Sequence, residues 1–144
     1  QQFWTYPYLS ARRYLNKEVY VLTSKFTFSG GEGCAYHLRN LNRATLIGET
    51  TRGGAHPTKF HRINDHFEVG IPSGRAISPI THTNWEGVGV KPHMEVSAEQ
   101  ALKTAHLAAL KKLLDKNSDA ERLKGLNEVI EKTQNELDAM KDKK

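Results

Sequence analysis

Apolar and polar positions in the first third of the chain follow two different periods. Residues 19–23 and 44–47 are short apolar runs rich in β-branched side chains, and such runs predict strands. Between them, the turn around Ser29 leads into three residues at helical spacing, Cys34, Leu38 and Leu41. This order predicts a βαβ crossover in which Ser29 marks the entry into the helix and Cys34 is a buried structural thiol.

Strand-like patterns return in the middle of the chain. Residues 59–63, 67–71 and 75–78 carry alternating or β-branched patterns, and turn signals separate them. They predict a small antiparallel meander that joins the crossover in one mixed sheet. Pro72 predicts a strand end or an edge, because proline cannot donate to a sheet ladder.

Two helical patterns close the chain. A capping box at residues 97–100 predicts a helix that ends near residues 115–117, and a second box at residues 118–121 predicts another helix. The predicted inner face of the first helix consists of Ala98, Ala101, Leu102, Ala105, Ala109 and Leu113. The second helix carries a narrow apolar seam, Leu123, Leu126, Ile130, Thr133, Leu137 and Met140. The seam must pack against a partner. Three partners are compatible with the sequence: the core, a second copy in a homo-oligomer, or another part of the protein. We therefore divide the chain into a domain at residues 1–115 and a helical extension at residues 116–144.

Composition and charge exclude several classes of function. The formal net charge is +5, but the basic residues are spread among acids over the whole chain, so no nucleic-acid partner is predicted. No apolar run approaches the ~20 residues that span a membrane. Four histidines, His56, His61, His66 and His82, lie in or beside the meander without the spacing of metal ligands, so we predict neither a metal nor another cofactor.

The position of Ser29 has two interpretations. Ser29 and Glu32 form an S-x-x-E pattern, which is the signature of a helix capping box. A hydroxyl at a helix start also lies beside backbone N–H groups and the positive end of the helix dipole, which is the environment that an oxyanion needs. The local pattern leaves both interpretations open.

Further segments extend the pattern around Ser29 in a fixed order. They are T-S at 23–24, T-F-S-G-G-E at 27–32, R-A-T-L-I-G-E-T-T at 43–51, G-G at 53–54 and E-G-V-G-V-K-P at 86–92. Over about residues 14–114 the chain resembles the C-terminal processing, or tail-specific, serine peptidase family. The resemblance implies that Ser29 is the nucleophile and that the Gly30 N–H contributes to the oxyanion hole. It also implies an α/β fold of the ClpP/crotonase-like kind, here with a C-terminal helical extension.

The family that the chain resembles has two catalytic designs, and the sequence can be compared with both. In the Ser-Lys branch a lysine stands 25 residues after the serine, and that position is Gly54 here. The other branch includes the tricorn-like proteases and the modules of interphotoreceptor retinoid-binding protein. Its tricorn-like members use a serine, a histidine and a glutamate supported by a second serine. The glutamate precedes a G-x-G-V-x-P segment, where Glu86 stands, although His93 departs from the acid that is common after the proline.

The histidine and second serine of that design come from an upstream part of the chain in similar proteins. Because the sequence begins with Gln1, we expect it to be a portion of a longer protein, inactive without its upstream partner segment. The predicted function is serine-type hydrolysis of peptides or proteins. The alternative is a non-catalytic module that binds apolar ligands such as retinoids or lipids. An extracytoplasmic location is implied by the resemblance alone.

Overall fold

A computed structural model describes Tyr8, Ser10 and residues 14–141 of the chain. Within this part of the chain, three helices and five strands follow one another. In chain order they are β1 (Tyr20–Thr23), α1 (Gly30–Asn40), β2 (Thr45–Gly48), β3 (Thr58–Arg62), β4 (Glu68–Pro72), β5 (Met94–Glu95), α2 (Ala98–Asp115) and α3 (Ala120–Lys141).

The predicted βαβ crossover is confirmed. β1 and β2 pair in parallel, with Val21 opposite Leu46, and α1 connects them. β5 adds a third parallel strand beside β2. The sequence pattern did not predict β5, since two residues are too short to show a period. The α/β class is confirmed by this sheet and its helices.

The middle strand of the central sheet, β2, is buried on both faces. Leu46 and Ile47 are adjacent in β2, and both are fully buried. Leu46 belongs to the apolar cluster that includes α1, whereas Ile47 packs with Ala101 and Ala105 of α2. Successive strand residues point to opposite faces, so a strand covered by helices on both sides needs the continuous apolar run found at residues 44–47.

The buried face of α1 is rotated from the predicted one. The buried residues of the helix are Glu32, Ala35 and Tyr36, whereas Cys34 is exposed. The prediction of a buried thiol is therefore wrong. The helix turns this face inward because Tyr36 packs on Trp85, with ring centroids 5.1 Å apart.

The predicted meander is a two-stranded hairpin. β3 and β4 pair antiparallel in a sheet of their own, and every residue of both strands is exposed. The prediction of one mixed sheet is therefore wrong, while Pro72 ends β4 as expected. Residues 75–78 form no strand, because the Ala76 carbonyl accepts a hydrogen bond from the Asn84 side-chain amide instead (2.8 Å).

Helix α2 has the predicted bounds but only part of the predicted inner face. It follows the N-cap Ser97 and ends at Asp115. Ala101 and Ala105 are buried as expected, whereas Leu102 is 66% exposed. The buried residues also include Leu107 and Leu110, which the predicted face did not contain.

The apolar seam of α3 packs against α2 of the same chain. Thr133 and Leu137 of the seam are buried, and Lys103 of α2 forms an ion pair with Glu136. The N-cap is Asp119 rather than Ser118, since its carboxylate accepts the backbone N–H groups of the first turn. A homo-oligomer through α3 would have to use other faces of the helix. The domain division at residue 115 stays a prediction, and none of the described helices is long and apolar enough to cross a membrane.

The packing of α3 on α2 predicts a large effect of one leucine. Leu137→Ala is expected to lower the free energy of unfolding by about 2 kcal/mol or more, because the change leaves a cavity between the helices. Urea unfolding followed by circular dichroism measures this value. Val129→Ala, at a position of the same helix that is 43% exposed, is the control and should change it by no more than about 0.5 kcal/mol. Equal small effects of both changes would contradict this packing.

Candidate active site

Ser29 has an unusual backbone conformation at the start of α1. Its φ is 52° and its ψ is −115°, and it is the N-cap of the helix. Non-glycine residues rarely have positive φ, and this ψ lies outside the left-handed helical region that they then adopt. Such a conformation costs about 1–3 kcal/mol, so the surrounding structure must hold it. The residue is also exposed, so a sharp loop-to-helix turn presents its hydroxyl to solvent.

The Glu32 carboxylate holds this turn in place. Oε2 accepts hydrogen bonds from the N–H groups of Ser29 (2.9 Å) and Gly54 (2.9 Å). Oε1 accepts from the Thr51 hydroxyl (2.5 Å) and the Gly53 N–H (2.6 Å). The side chain is fully buried. The capping acid predicted from the sequence therefore also ties the Ser29 turn to residues 51–54.

The hydrogen bonds keep Glu32 ionised although it is buried. Burial acts to raise the pKa of its carboxyl, but the Thr51 hydroxyl and the backbone N–H groups of Gly54, Gly53 and Ser29 outweigh it. The net pKa lies below the usual value of 4.5. The start of α1 also places the positive end of the helix dipole beside this anion.

The segment that carries Glu86 is fastened to the same frame. The Thr51 hydroxyl accepts the Val90 N–H (2.7 Å), and the Trp85 indole N–H donates to the Gly54 carbonyl (3.1 Å). The Trp85 ring lies against Gly33 in the first turn of α1. These contacts fix residues 85–90 relative to the helix that begins directly after Ser29.

Glu86 itself binds the residues that follow Gly54. Its Oε2 accepts the backbone N–H groups of Ala55 (2.5 Å) and His56 (3.0 Å). The Ala55 N–H contributes most to lowering the pKa of the Glu86 carboxyl, desolvation opposes it, and the His56 N–H and ring lower it further. The side chain is 41% exposed, so Glu86 is a carboxylate that is held in place and open to solvent.

His56 and Asn84 lie beside this carboxylate. The Nδ1 atom of His56 is 3.9 Å from Glu86 Oε2, and its Nε2 atom is 3.3 Å from Asn84 Nδ2. Neither residue was singled out as a partner of Glu86 from the sequence. The only available signal was the position of Asn84 two residues before Glu86 in the same loop.

The predicted site residues share one short strip of backbone. Glu32, which caps Ser29, binds Gly53 and Gly54, and Glu86 binds the next two residues, Ala55 and His56. The Gly30 N–H has no hydrogen-bond partner among the described residues. None of the seven histidines, all of which lie in the described part, hydrogen-bonds the Ser29 hydroxyl.

The aromatic ring of Phe28 fills the space in front of Gly54. A Cβ atom at position 54 would lie 2.2 Å from Phe28 Cε2, and the Arg52 guanidinium stacks over the same ring at 5.0 Å from its centroid. A longer side chain at position 54 therefore requires the ring to move. Across residues 14–141 we find no group of three or more histidine, cysteine or carboxylate side chains that could hold a metal ion.

Comparison with known proteins identifies the family. The sequence profile of Peptidase family S41 matches residues 5–96, which is well over half of the chain. The chain belongs to peptidase family S41. The predicted C-terminal processing peptidase family is thereby confirmed, and with it the assignment to a family of peptidases.

Two solved structures are similar to parts of this S41 family member. A photosystem II D1 C-terminal processing protease is 24% identical, with a TM-score of 0.51, and the match covers 58% of this chain and 22% of that chain. The structure of mature CPAF is 19% identical, with a TM-score of 0.43, and the match covers 59% of this chain and 17% of that chain. The similarity to the D1 C-terminal processing protease supports the fold. The S41 chain thus matches less than a quarter of the length of each protein.

The strain at Ser29 predicts that glycine is more stable than alanine at this position, which is the reverse of the usual order. Ser29→Gly is expected to unfold with a free energy about 1 kcal/mol higher than Ser29→Ala, because glycine adopts positive φ without strain. Urea unfolding of both variants measures the difference. At Ser118, which is exposed and has no positive φ, the same pair should show the opposite order or no difference. Ser29→Ala as the more stable variant would argue against the strain.

The buried Glu32 predicts a defined dependence of stability on pH. Glu32→Gln is expected to cost on the order of 3 kcal/mol at pH 7, because an amide NH₂ would face backbone N–H donors. The folded pKa is below the unfolded one, so this stabilisation is present above about pH 4.5 and is lost as the pH falls through the folded pKa.

The measurement is the difference in unfolding free energy between the original protein and Glu32→Gln from pH 7 to pH 3. The difference should shrink on acidification. The contributions of all other carboxylates to the pH dependence cancel in this difference, because both proteins carry them. Glu121 is the matched control, since it is an acid in the first turn of α3 with an exposed side chain. Glu121→Gln should change stability by no more than about 0.5 kcal/mol at any pH in this range. A difference that stays constant would refute the ionised state of Glu32.

Proposed function

We propose that this chain carries the nucleophile and the acid of a serine peptidase that hydrolyses peptide bonds in peptides or proteins. The observation that supports it most is the strained, exposed backbone of Ser29 at the start of α1. Strained residues on sharp turns into helices present catalytic serines in other hydrolases. A structural N-cap needs no such strain, since ordinary N-caps have extended backbone.

The chemistry follows from the proposed roles. The Ser29 Oγ forms a bond to the substrate carbonyl carbon while a histidine base takes its proton. The resulting oxyanion is stabilised by the Gly30 N–H, which has no partner among the described residues and lies at the positive end of α1. The histidine then protonates the leaving amine as the C–N bond breaks. Water hydrolyses the acyl-enzyme by the same steps.

Glu86 fits the role of the acid that orients the histidine. The backbone N–H groups of Ala55 and His56 hold its carboxylate and favour its charged form, which can stabilise an imidazolium. The Ser-Lys alternative has less support, since Gly54 has no side chain and the Phe28 ring fills the adjacent space. Arg52 is a poor base because its guanidinium stays protonated. This favours the tricorn-like design within the family.

The base itself is proposed to come from outside residues 14–141. None of the seven histidines of the chain hydrogen-bonds Ser29 among the described residues, and similar proteins supply the base and a second serine from an upstream segment. The 144-residue chain is therefore proposed to be inactive without that segment. The binding-module alternative has less support, because binding an apolar ligand needs neither a strained serine nor a held carboxylate.

The proposed nucleophile predicts covalent labelling at one serine. The full-length protein should react with a fluorophosphonate probe, and Ser29→Ala should abolish the labelling because no other described serine is a helix N-cap with positive φ. Mass spectrometry of the labelled peptide identifies the modified residue. Ser24→Ala, in the same loop, is the control and should leave labelling intact. Labelling that survives Ser29→Ala would assign the chemistry to another residue.

A further inference from the structure

The orientation of the Asn84 side chain is fixed by two backbone contacts. Its Nδ2 donates to the Ala76 carbonyl (2.8 Å), and its Oδ1 accepts the Glu86 N–H (3.1 Å). An amide turned the other way would place oxygen against the Ala76 carbonyl oxygen and NH₂ against the Glu86 N–H. The hydrogen-bond network therefore assigns the amide orientation.

This orientation determines the tautomer of His56. Asn84 Nδ2 is a donor only, and it faces His56 Nε2 at 3.3 Å. Nε2 must then be the acceptor nitrogen, so the proton of the neutral ring is on Nδ1. That proton is on the side of the Glu86 carboxylate, where Nδ1 is 3.9 Å from Oε2. The distance is too long for a hydrogen bond in this state, but contacts of this kind tighten when a catalytic site is completed.

The contacts of the Glu86 carboxylate converge on one of its two oxygens. Oε2 receives the N–H groups of Ala55 and His56 and faces the His56 ring. Oε1 has no hydrogen-bond partner among the described residues, and the side chain is 41% exposed. The carboxylate is thus held from one side and leaves one oxygen available.

We propose that His56 and Asn84 are positioning residues for Glu86. Asn84 fixes the Nδ1–H tautomer of His56, and His56 holds Oε2 of Glu86. The other oxygen, Oε1, then receives the catalytic histidine. The inference rests on the proposed function of Ser29 and Glu86. It also excludes His56 as the base in this arrangement, because the Nε2 lone pair that would take a proton from serine is already occupied by Asn84.

The tautomer is measured by long-range ¹H–¹⁵N correlation NMR of the histidine rings in the full-length protein, at a pH where His56 is neutral. The His56 signals are identified by their loss in His56→Asn. The expected result is a protonated Nδ1 and an unprotonated Nε2, and Asn84→Ala should shift His56 toward a mixture of both tautomers. A predominant Nε2–H form in the original protein would overturn the proposal.

The positioning role is measured with the fluorophosphonate probe as the reactant. His56→Ala is expected to lower the maximal rate of Ser29 labelling about 10-fold or more, which is the order seen for partners that orient ligating or catalytic groups, without changing the probe concentration at half-maximal rate. His56→Asn should recover most of the rate, since its amide can place a donor close to the position of Nδ1. His61→Asn, on the exposed hairpin, is the control and should keep the original rate.

The outcomes separate the two proposals. An unchanged labelling rate in His56→Ala, with Ser29-dependent labelling intact, would overturn the positioning role and leave the proposed function standing. Complete loss of labelling in both His56 variants would also overturn the positioning role. It would indicate that His56 is itself the base, since asparagine cannot replace a base. Absence of labelling in the original protein would overturn the proposed function and with it the role of this pair.

Discussion

One buried carboxylate holds the candidate site together. Glu32 has no ion-pair partner among the described residues, and its charge is balanced by hydrogen bonds from one hydroxyl and three backbone N–H groups. Hydrogen bonds to a charged group contribute about 1.5–3 kcal/mol each, so together they offset both the burial of the anion and the strain of about 1–3 kcal/mol at Ser29. Because the donors come from two separate loops, the carboxylate that holds the Ser29 turn also fixes the loop that Glu86 binds.

The features that the sequence predicted depend on local contacts. The strand at residues 44–47, the helix start at Ser29 and the capping acid Glu32 all follow from neighbours within a few residues, and the structure has each of them. The resemblance to known peptidases added Ser29, Gly30 and Glu86 as candidates, and the contacts of residues 53–56 now connect the turn at Ser29 to Glu86. Their catalytic roles remain proposals.

The features that the sequence did not predict depend on distant contacts. Cys34 is exposed because Trp85, far along the chain, determines which side of α1 turns inward. Residues 75–78 have a strand-like pattern, but the Asn84 side chain takes the Ala76 carbonyl that a strand would need. The partner of the α3 seam could not be chosen either, since an apolar stripe at coiled-coil spacing fits any complementary helix. In each case the local pattern was compatible with several arrangements, and a residue elsewhere decided between them.

The surroundings of Gly54 admit a longer side chain only if the Phe28 ring moves. A lysine at this position would need the space of the Phe28 ring, and displacing that ring would also break its contact with the Arg52 guanidinium. The backbone of the same residue is already used, since its N–H binds Glu32 and its carbonyl accepts the Trp85 indole. A longer side chain at position 54 therefore has to move the Phe28 ring while the Gly54 N–H and carbonyl keep their partners. A Cβ atom at this position would already lie 2.2 Å from Phe28 Cε2, so even the smallest side chain at position 54 disturbs the ring that stacks on Arg52.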